Sequence, residues 1–223
     1  MLIDTKKLLI RLGPGSLALM FSLFTATAAR ATMMAPGSGP VVTPGTASFS
    51  GLTLVAGADE IVPFIGVDVF NNVKFSGTLE SRVYHDPSGS LDFAYQINAA
   101  PTGPDSIHSV SISSYSTFDT NVDYIPSTGA VTYGSANRLS VAAGEIISFN
   151  YTALANSIAP GDSTDWILVK TNAFAFNNLG DTSVIDGGTA DVVSFQPVPE
   201  PASLGLLTVC CGALLTRRSR SRT

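Results

Sequence analysis

Phe75-Ser76-Gly77-Thr78-Leu79-Glu80-Ser81-Arg82-Val83, then Asp86-Pro87-Ser88-Gly89, then Leu91-Asp92-Phe93-Ala94-Tyr95-Gln96-Ile97 is the stretch on which the reading of the fold turns. In the first run Phe75, Gly77, Leu79, Ser81 and Val83 alternate with polar neighbours. In the last run Leu91, Phe93, Tyr95 and Ile97 do the same. Period two puts one set of side chains on one face of a strand. The four residues between, all turn formers, punctuate the pattern. Two alternating runs around such a turn predict a β-hairpin with one face in a core.

Outward from that hairpin, strands are predicted at 106–113, 117–125 and 130–133, and an alternating set follows at Ile147, Phe149, Tyr151 and Ala153. The run from Trp166 to Thr171 is almost continuously apolar, as a central strand buried on both faces requires. Residues 173–176 extend that strand or begin the next. Asp186-Gly187-Gly188 turns the chain into a last strand at 190–195. No sustained 3.6-residue apolar period interrupts the series, and Ser, Thr, Val, Ile, Phe and Tyr are the enriched residues, which favours strands. Eight or nine short strands separated by turns predict an all-β domain, a single antiparallel β-sandwich of jelly-roll-like type.

Both flanks of this body differ from it. Lys6, Lys7 and Arg11 precede an apolar run from about Leu17 to Ala29, and Ala29-Arg30-Ala31 supplies small residues for cleavage. This is the layout of a secretory signal peptide at 1–31, cut after Ala31, with Ala29 as the second choice. Residues 32–47, rich in Pro and Gly, read as a flexible leader, and 48–196 as the sandwich. Residues 197–223 form a third region. There Pro199-Glu200-Pro201 precedes fifteen uncharged residues, 202–216, and then Arg217, Arg218, Arg220 and Arg222. Proline fixes φ and lacks an amide donor, so the two prolines keep Glu200 extended. Within a bilayer the apolar run must satisfy its own backbone as a transmembrane helix. Its length of roughly 22 Å falls short of the ~30 Å hydrocarbon core, a gap that bilayer thinning and arginine snorkelling absorb. The arginines stay cytoplasmic, so the body lies on the other side. A buried terminal helix of a soluble domain is the alternative, and it would need a polar face that the run lacks.

The order Pro-Glu-Pro, apolar helix, arginine cluster resembles the PEP-CTERM sorting signal of exported bacterial proteins, over roughly residues 197 to 223. Cys210 and Cys211 stand where family members usually carry aliphatic residues, and they read as small apolar fillers. The resemblance implies cleavage near Pro199, Glu200 and Pro201 by an exosortase, a membrane-embedded cysteine protease. It also implies a precursor exported through the translocon and inserted in the inner membrane, with the mature form at the cell surface or released. Extracellular polysaccharide is the partner that the resemblance suggests.

Composition bounds the body further. Of twelve Lys and Arg, only Lys74, Arg82, Arg138 and Lys170 fall between the two flanking signals, against fifteen of the seventeen carboxylates. The body therefore carries about −11, a surface that repels nucleic acid and anionic lipid. It has no cysteine, so it depends on its core, and a chain of this length buries one.

Little in the body speaks for chemistry. His85-Asp86 is the one histidine–carboxylate neighbour pair. No Gly-x-Ser-x-Gly elbow or His-Glu-x-x-His motif accompanies it or His108. His85, beside a turn, reads as a solvated surface residue, and no catalytic residue and no cofactor are assigned. Carboxylates in expected loops (Asp59-Glu60, Asp162 with Asp165, and Asp181 through Asp186 to Asp191) raise a structural calcium, with Asp162 and Asp165 as its ligands. Turn-forming aspartates account for them equally well. Tyr84, Tyr115, Tyr133 or Trp166 would be the sugar-stacking aromatics of a carbohydrate-binding module, although a core role suits Trp166 better. Asn150-Tyr151-Thr152 is a glycosylation sequon in form only. The expected protein is a non-enzymatic cell-surface or matrix protein; the alternatives are a secreted carbohydrate-binding module and, behind it, a secreted hydrolase.

Overall fold

The computed structural model describes residues 31–139, 145–151 and 157–199. Ala29, Glu200, Pro201, the segment 202–216 and Arg217, Arg218, Arg220 and Arg222 lie outside the described residues, and with them most of the expected signal peptide and sorting tail.

The described chain forms strands and no helix. They are β1 (Thr32–Met33), β2 (Thr53–Val67), β3 (Val73–His85), β4 (Leu91–Ala99), β5 (Ser109–Ile112) and β6 (Thr120–Ile125). The remainder are β7 (Ser135–Arg138), β8 (Ile147–Asn150), β9 (Trp166–Thr171), β10 (Phe176–Ile185) and β11 (Thr189–Pro197). All strand pairs are antiparallel. They make one curled sheet in the order β1-β6-β9-β4-β3-β2-β11-β10-β5-β8-β7.

The hairpin read from the sequence is β3–β4, in register from Gly77↔Ala99 to His85↔Leu91. Its turn is held by the Asp86 carboxylate, which accepts from the Ser88 and Ser90 amides at 2.8 and 3.0 Å and from the Ser88 hydroxyl at 2.7 Å. The expected central strand is β9, seated between β4 and β6. Across these four strands Val83, Phe93, Val169 and Val122 fall in one register row and are all fully buried. The sheet curls so that Val110, Ile112, Ile147, Phe149, Val184 and Val192 of the other strands join the same core. A buried hydroxyl relay ties the halves together: Tyr115 and Tyr95 hydroxyls lie 2.8 Å apart, and Tyr95 donates to the Phe195 carbonyl at 2.7 Å. In so apolar a setting these groups must pair with each other, because an unmet partner costs about 1–3 kcal/mol.

A second, smaller cluster covers the opposite face of β3, β4, β6 and β9. Tyr84, Ala94, Ile125, Trp166 and Leu168 pack there beneath Ala47, Phe49 and Leu52. Arg82 lies 4.7 Å over the Trp166 ring, and Phe49 meets that ring edge-on at 5.6 Å.

The structure corrects several expectations. Residues 32–47 are a packed strap. β1 pairs with β6, Met34 is buried, and Val41 bridges Ala136. Thr43 meets the Tyr133 hydroxyl at 2.8 Å, and the Gly45 amide donates to Asp123 at 2.8 Å. Pro and Gly shape this strap instead of loosening it: Gly45 sits at φ 64°, directly against the Tyr124 ring. Gln196-Pro197-Val198 is no linker either, because β11 runs through Pro197 opposite Phe176, and the Val198 amide donates to Ala175 at 3.0 Å. Residues 130–133 contribute only a bridge, Val131 to Thr164; the strand there is β7. Asp59-Glu60, Asp181 and Asp191 lie in strands β2, β10 and β11 rather than in loops.

Candidate functional site

At one pole of the body the chain both enters and leaves. Arg138, the last residue of β7, organises it. Its side chain is almost wholly buried and donates to the Met34 carbonyl and the Thr120 hydroxyl, each at 2.9 Å. It also donates to the carbonyls of Tyr115 and, at 3.0 Å, of Phe118. Burial pulls its guanidinium below the ordinary arginine value, and Asp119 pulls the other way. One cation thereby fastens three separate pieces: the start of the strap, the loop before β6, and β7. A fourth piece is joined through Asp119, whose amide and carboxylate bond Asn172 at 3.1 and 3.3 Å.

Two shallow clefts flank Thr117 and Phe118. One, of about 240 Å³, runs between Met33–Pro36, residues 116–120 and Arg138. The other, of about 310 Å³, is bounded by Asn172, Ala173, Phe174, Val198 and Pro199. Ala31 stands one residue before β1, and Pro199 lies against the second cleft. The expected signal cut and the beginning of the Pro-Glu-Pro motif therefore lie at the same pole. Apart from Asp119 and Arg138, the residues lining both clefts are uncharged, and Met33 and Phe174 are exposed beside them.

Other singled-out residues lie apart from this pole or serve structure. Asp165 accepts from the Ser127 amide at 2.7 Å and from the Thr132 hydroxyl. Asp162 accepts from the Ala159 amide at 3.2 Å within its own turn. Among the described residues no three His, Cys, Asp or Glu side chains group as a metal site. His85 Nδ1 faces the Gly89 carbonyl at 3.3 Å. His108 pairs with Asp186 at 2.7 Å, a contact across 78 positions that sequence reading did not find. Neither histidine lines either cleft. Tyr115 and Tyr133 are in the core, and Tyr84 and Trp166 lie in the second cluster, covered by Phe49. Asn150 ends β8, and its side chain bonds Asn137 and Ser135.

Asp92 is a buried carboxyl that sequence reading missed. It is 2% exposed, it faces Tyr84 and Lys170 across the neighbouring strands, and its Oδ1 has no hydrogen-bond partner among the described residues. Burial pushes its carboxyl up to about 7, opposed by Lys170 and reinforced by Asp86.

Comparison of the chain with protein-family models, with curated proteins and with solved structures gives no match.

Proposed function

We propose that this chain is an exported cell-surface or extracellular-matrix protein of non-enzymatic character, sorted and cut by an exosortase at Pro199-Glu200-Pro201. In this reading the curled sheet works as a two-layered, jelly-roll-like β-sandwich. The precursor is held in the inner membrane by 202–216, with the body outside the cytoplasm, and the mature form reaches the surface or medium. The observation that carries the reading is the ordered tail: rigid acidic motif, apolar run, then Arg217, Arg218, Arg220 and Arg222. The pole geometry supports it, because a signal peptide before Thr32 and an anchor after Pro199 can then enter one membrane from the same side. The partners in the precursor are the translocon, the exosortase and the bilayer. Extracellular polysaccharide is the proposed partner of the mature body, whose excess of carboxylates disfavours nucleic acid.

A second reading, a carbohydrate-binding module, draws on the face of β5, β7, β8, β10 and β11 turned away from the core. Ser111 and Ser148 hydroxyls meet there at 2.8 Å, Asn150 bonds Asn137 at 3.3 Å, and Ser183 donates to Asp191 at 2.7 Å. Such a hydroxyl and amide surface suits neutral sugars, and retention on immobilised matrix polysaccharide would favour this reading.

Mass spectrometry of the protein recovered from the cell surface or medium tests the primary reading. A C-terminus at 199–201 is expected. Recovery with Arg222-Thr223 intact would leave a plain anchor and remove the processing step.

A further inference from the structure

Val198 is bonded to Ala175, and Pro199 lies in the cleft beside Phe118 and Phe174. Only Glu200 and Pro201 separate Pro199 from Ala202, where the apolar run starts. Three residue steps span at most roughly 10 Å. The headgroup zone on each side of a bilayer is itself about 5–7 Å deep. A body attached by so short a connection is held within a few ångströms of the headgroups.

We propose that the pole around Pro199 is a lipid-contacting surface, and that Met33 and Phe174 rest among the headgroups of the same leaflet that 202–216 enters. This rests on the reading that 202–216 lies in lipid. The side chains suit the place. Met33 is 75% exposed and Phe174 61%, an apolar outlay that water does not favour and an interface does. The charges that would resist are few, since Arg138 is turned inward and only Asp119 among the cleft residues is an exposed ion. Asp86 in the β3–β4 turn also stands at this end of the sheet, where the Ser88 and Ser90 amides hold its carboxylate, and Glu145 adjoins the Tyr115 loop through its carbonyl.

The opposite pole provides an internal contrast. Val69 and Phe70, in the β2–β3 loop, are 93% and 81% exposed. They adjoin the start of β3, whereas His85 at its far end leads into the turn that meets Ala173 through the Leu91 amide. Thirteen residues of strand put roughly 40 Å between the two poles. Exposure alone would favour Val69 and Phe70 for lipid; the connection at Pro199 favours Met33 and Phe174.

The test uses the full-length precursor in phosphatidylcholine/phosphatidylglycerol vesicles, with bromine on the acyl chains close to the headgroup. Three variants each carry one added tryptophan: Phe174→Trp, Val69→Trp and Leu206→Trp, read against the common background of Trp166. The expected result is quenching of the added fluorescence at 174 and at 206, at least twofold stronger than at 69. Quenching at 206 with 174 no stronger than 69 would overturn the lipid-facing pole and leave the anchor intact. No quenching at 206 would overturn the anchor, and the pole with it. Position 174 is exposed, so the substitution is expected to fold, and an unchanged thermal midpoint confirms it.

Discussion

Replacing Asp92 with asparagine should make the body more stable at neutral pH and remove a pH dependence that the parent shows. The carboxyl sits 2% exposed between Tyr84 and Lys170, with one oxygen unpartnered among the described residues. Its pKa moves from 3.8 to about 7, first through burial, with Lys170 opposing and Asp86 adding. The folded value is raised, so the neutral form is favoured by folding. The stabilising contribution is complete below about pH 4 and is lost as pH rises through about 7. The interval covers roughly three pH units. At about 1.36 kcal/mol each, ionised Asp92 costs the folded state roughly 4 kcal/mol. Between about pH 4.5 and 6.5 the parent should lose stability at about 1.4 kcal/mol per pH unit from this group. Asp181, raised by burial and by Asp191, acts in the same direction. Asp68 and Asp86, both lowered, act only towards acid pH. Asparagine keeps the shape without the charge. Urea unfolding of parent and Asp92→Asn at pH 4.5, 6 and 8 measures the difference directly, with the other titrating groups cancelling between the two proteins. The curves should lie within about 1 kcal/mol of each other at pH 4.5, and the variant should lead by several kcal/mol at pH 8. A variant with the parent's slope, or less stable than the parent at pH 8, would refute the assignment of this cost to Asp92.

Arg138→Ala should strip donors from the carbonyls of Met34, Tyr115 and Phe118 and cost roughly 3–5 kcal/mol. Limited proteolysis should then find new cuts within 32–47 before the rest of the body opens, and a strap as resistant as the parent's would contradict the role given to this side chain. Gly45→Ala would place a Cβ 2.0 Å from the Tyr124 ring at a φ of 64°. A penalty of about 1–3 kcal/mol is expected, with a red shift of Trp166 emission as Phe49 lifts away; unaltered emission and midpoint would show that the strap is not held there.

What could be read beforehand follows from where the two-residue period survives. β3, β4 and β9 were legible because each has an unbroken face and, in the hairpin, a turn of four punctuating residues. β2 was not. A bulge between Leu54 and Asp59, with Gly57 at φ 77°, breaks its phase, and Pro63 and Gly66 read as strand breakers. Proline fits there because β2 meets β11 at Thr189↔Val67, leaving most of that edge outside a ladder. Gly66 fits because the Phe75 ring lies 2.2 Å from where a Cβ would be. The strap was misread for a related reason. Pro and Gly between 35 and 45 signal irregular backbone, and irregular backbone held by Arg138, Tyr133 and Asp123 looks the same in sequence as a loose one. The pole was only half visible: Pro199 stood out by its motif, but its closeness to Met33 depends on pairings such as Thr32↔Val122.

The strap also sets an order of events for a chain made from its N-terminus. Thr43 waits for Tyr133, 90 positions on, and Met34 for Arg138, 104 positions on. The earliest stretch of the body is thus among the last to find a home, and until β6 and β7 have appeared its apolar side chains have nowhere to go. Until then Met34 and Phe49 stay open to capture by chaperones.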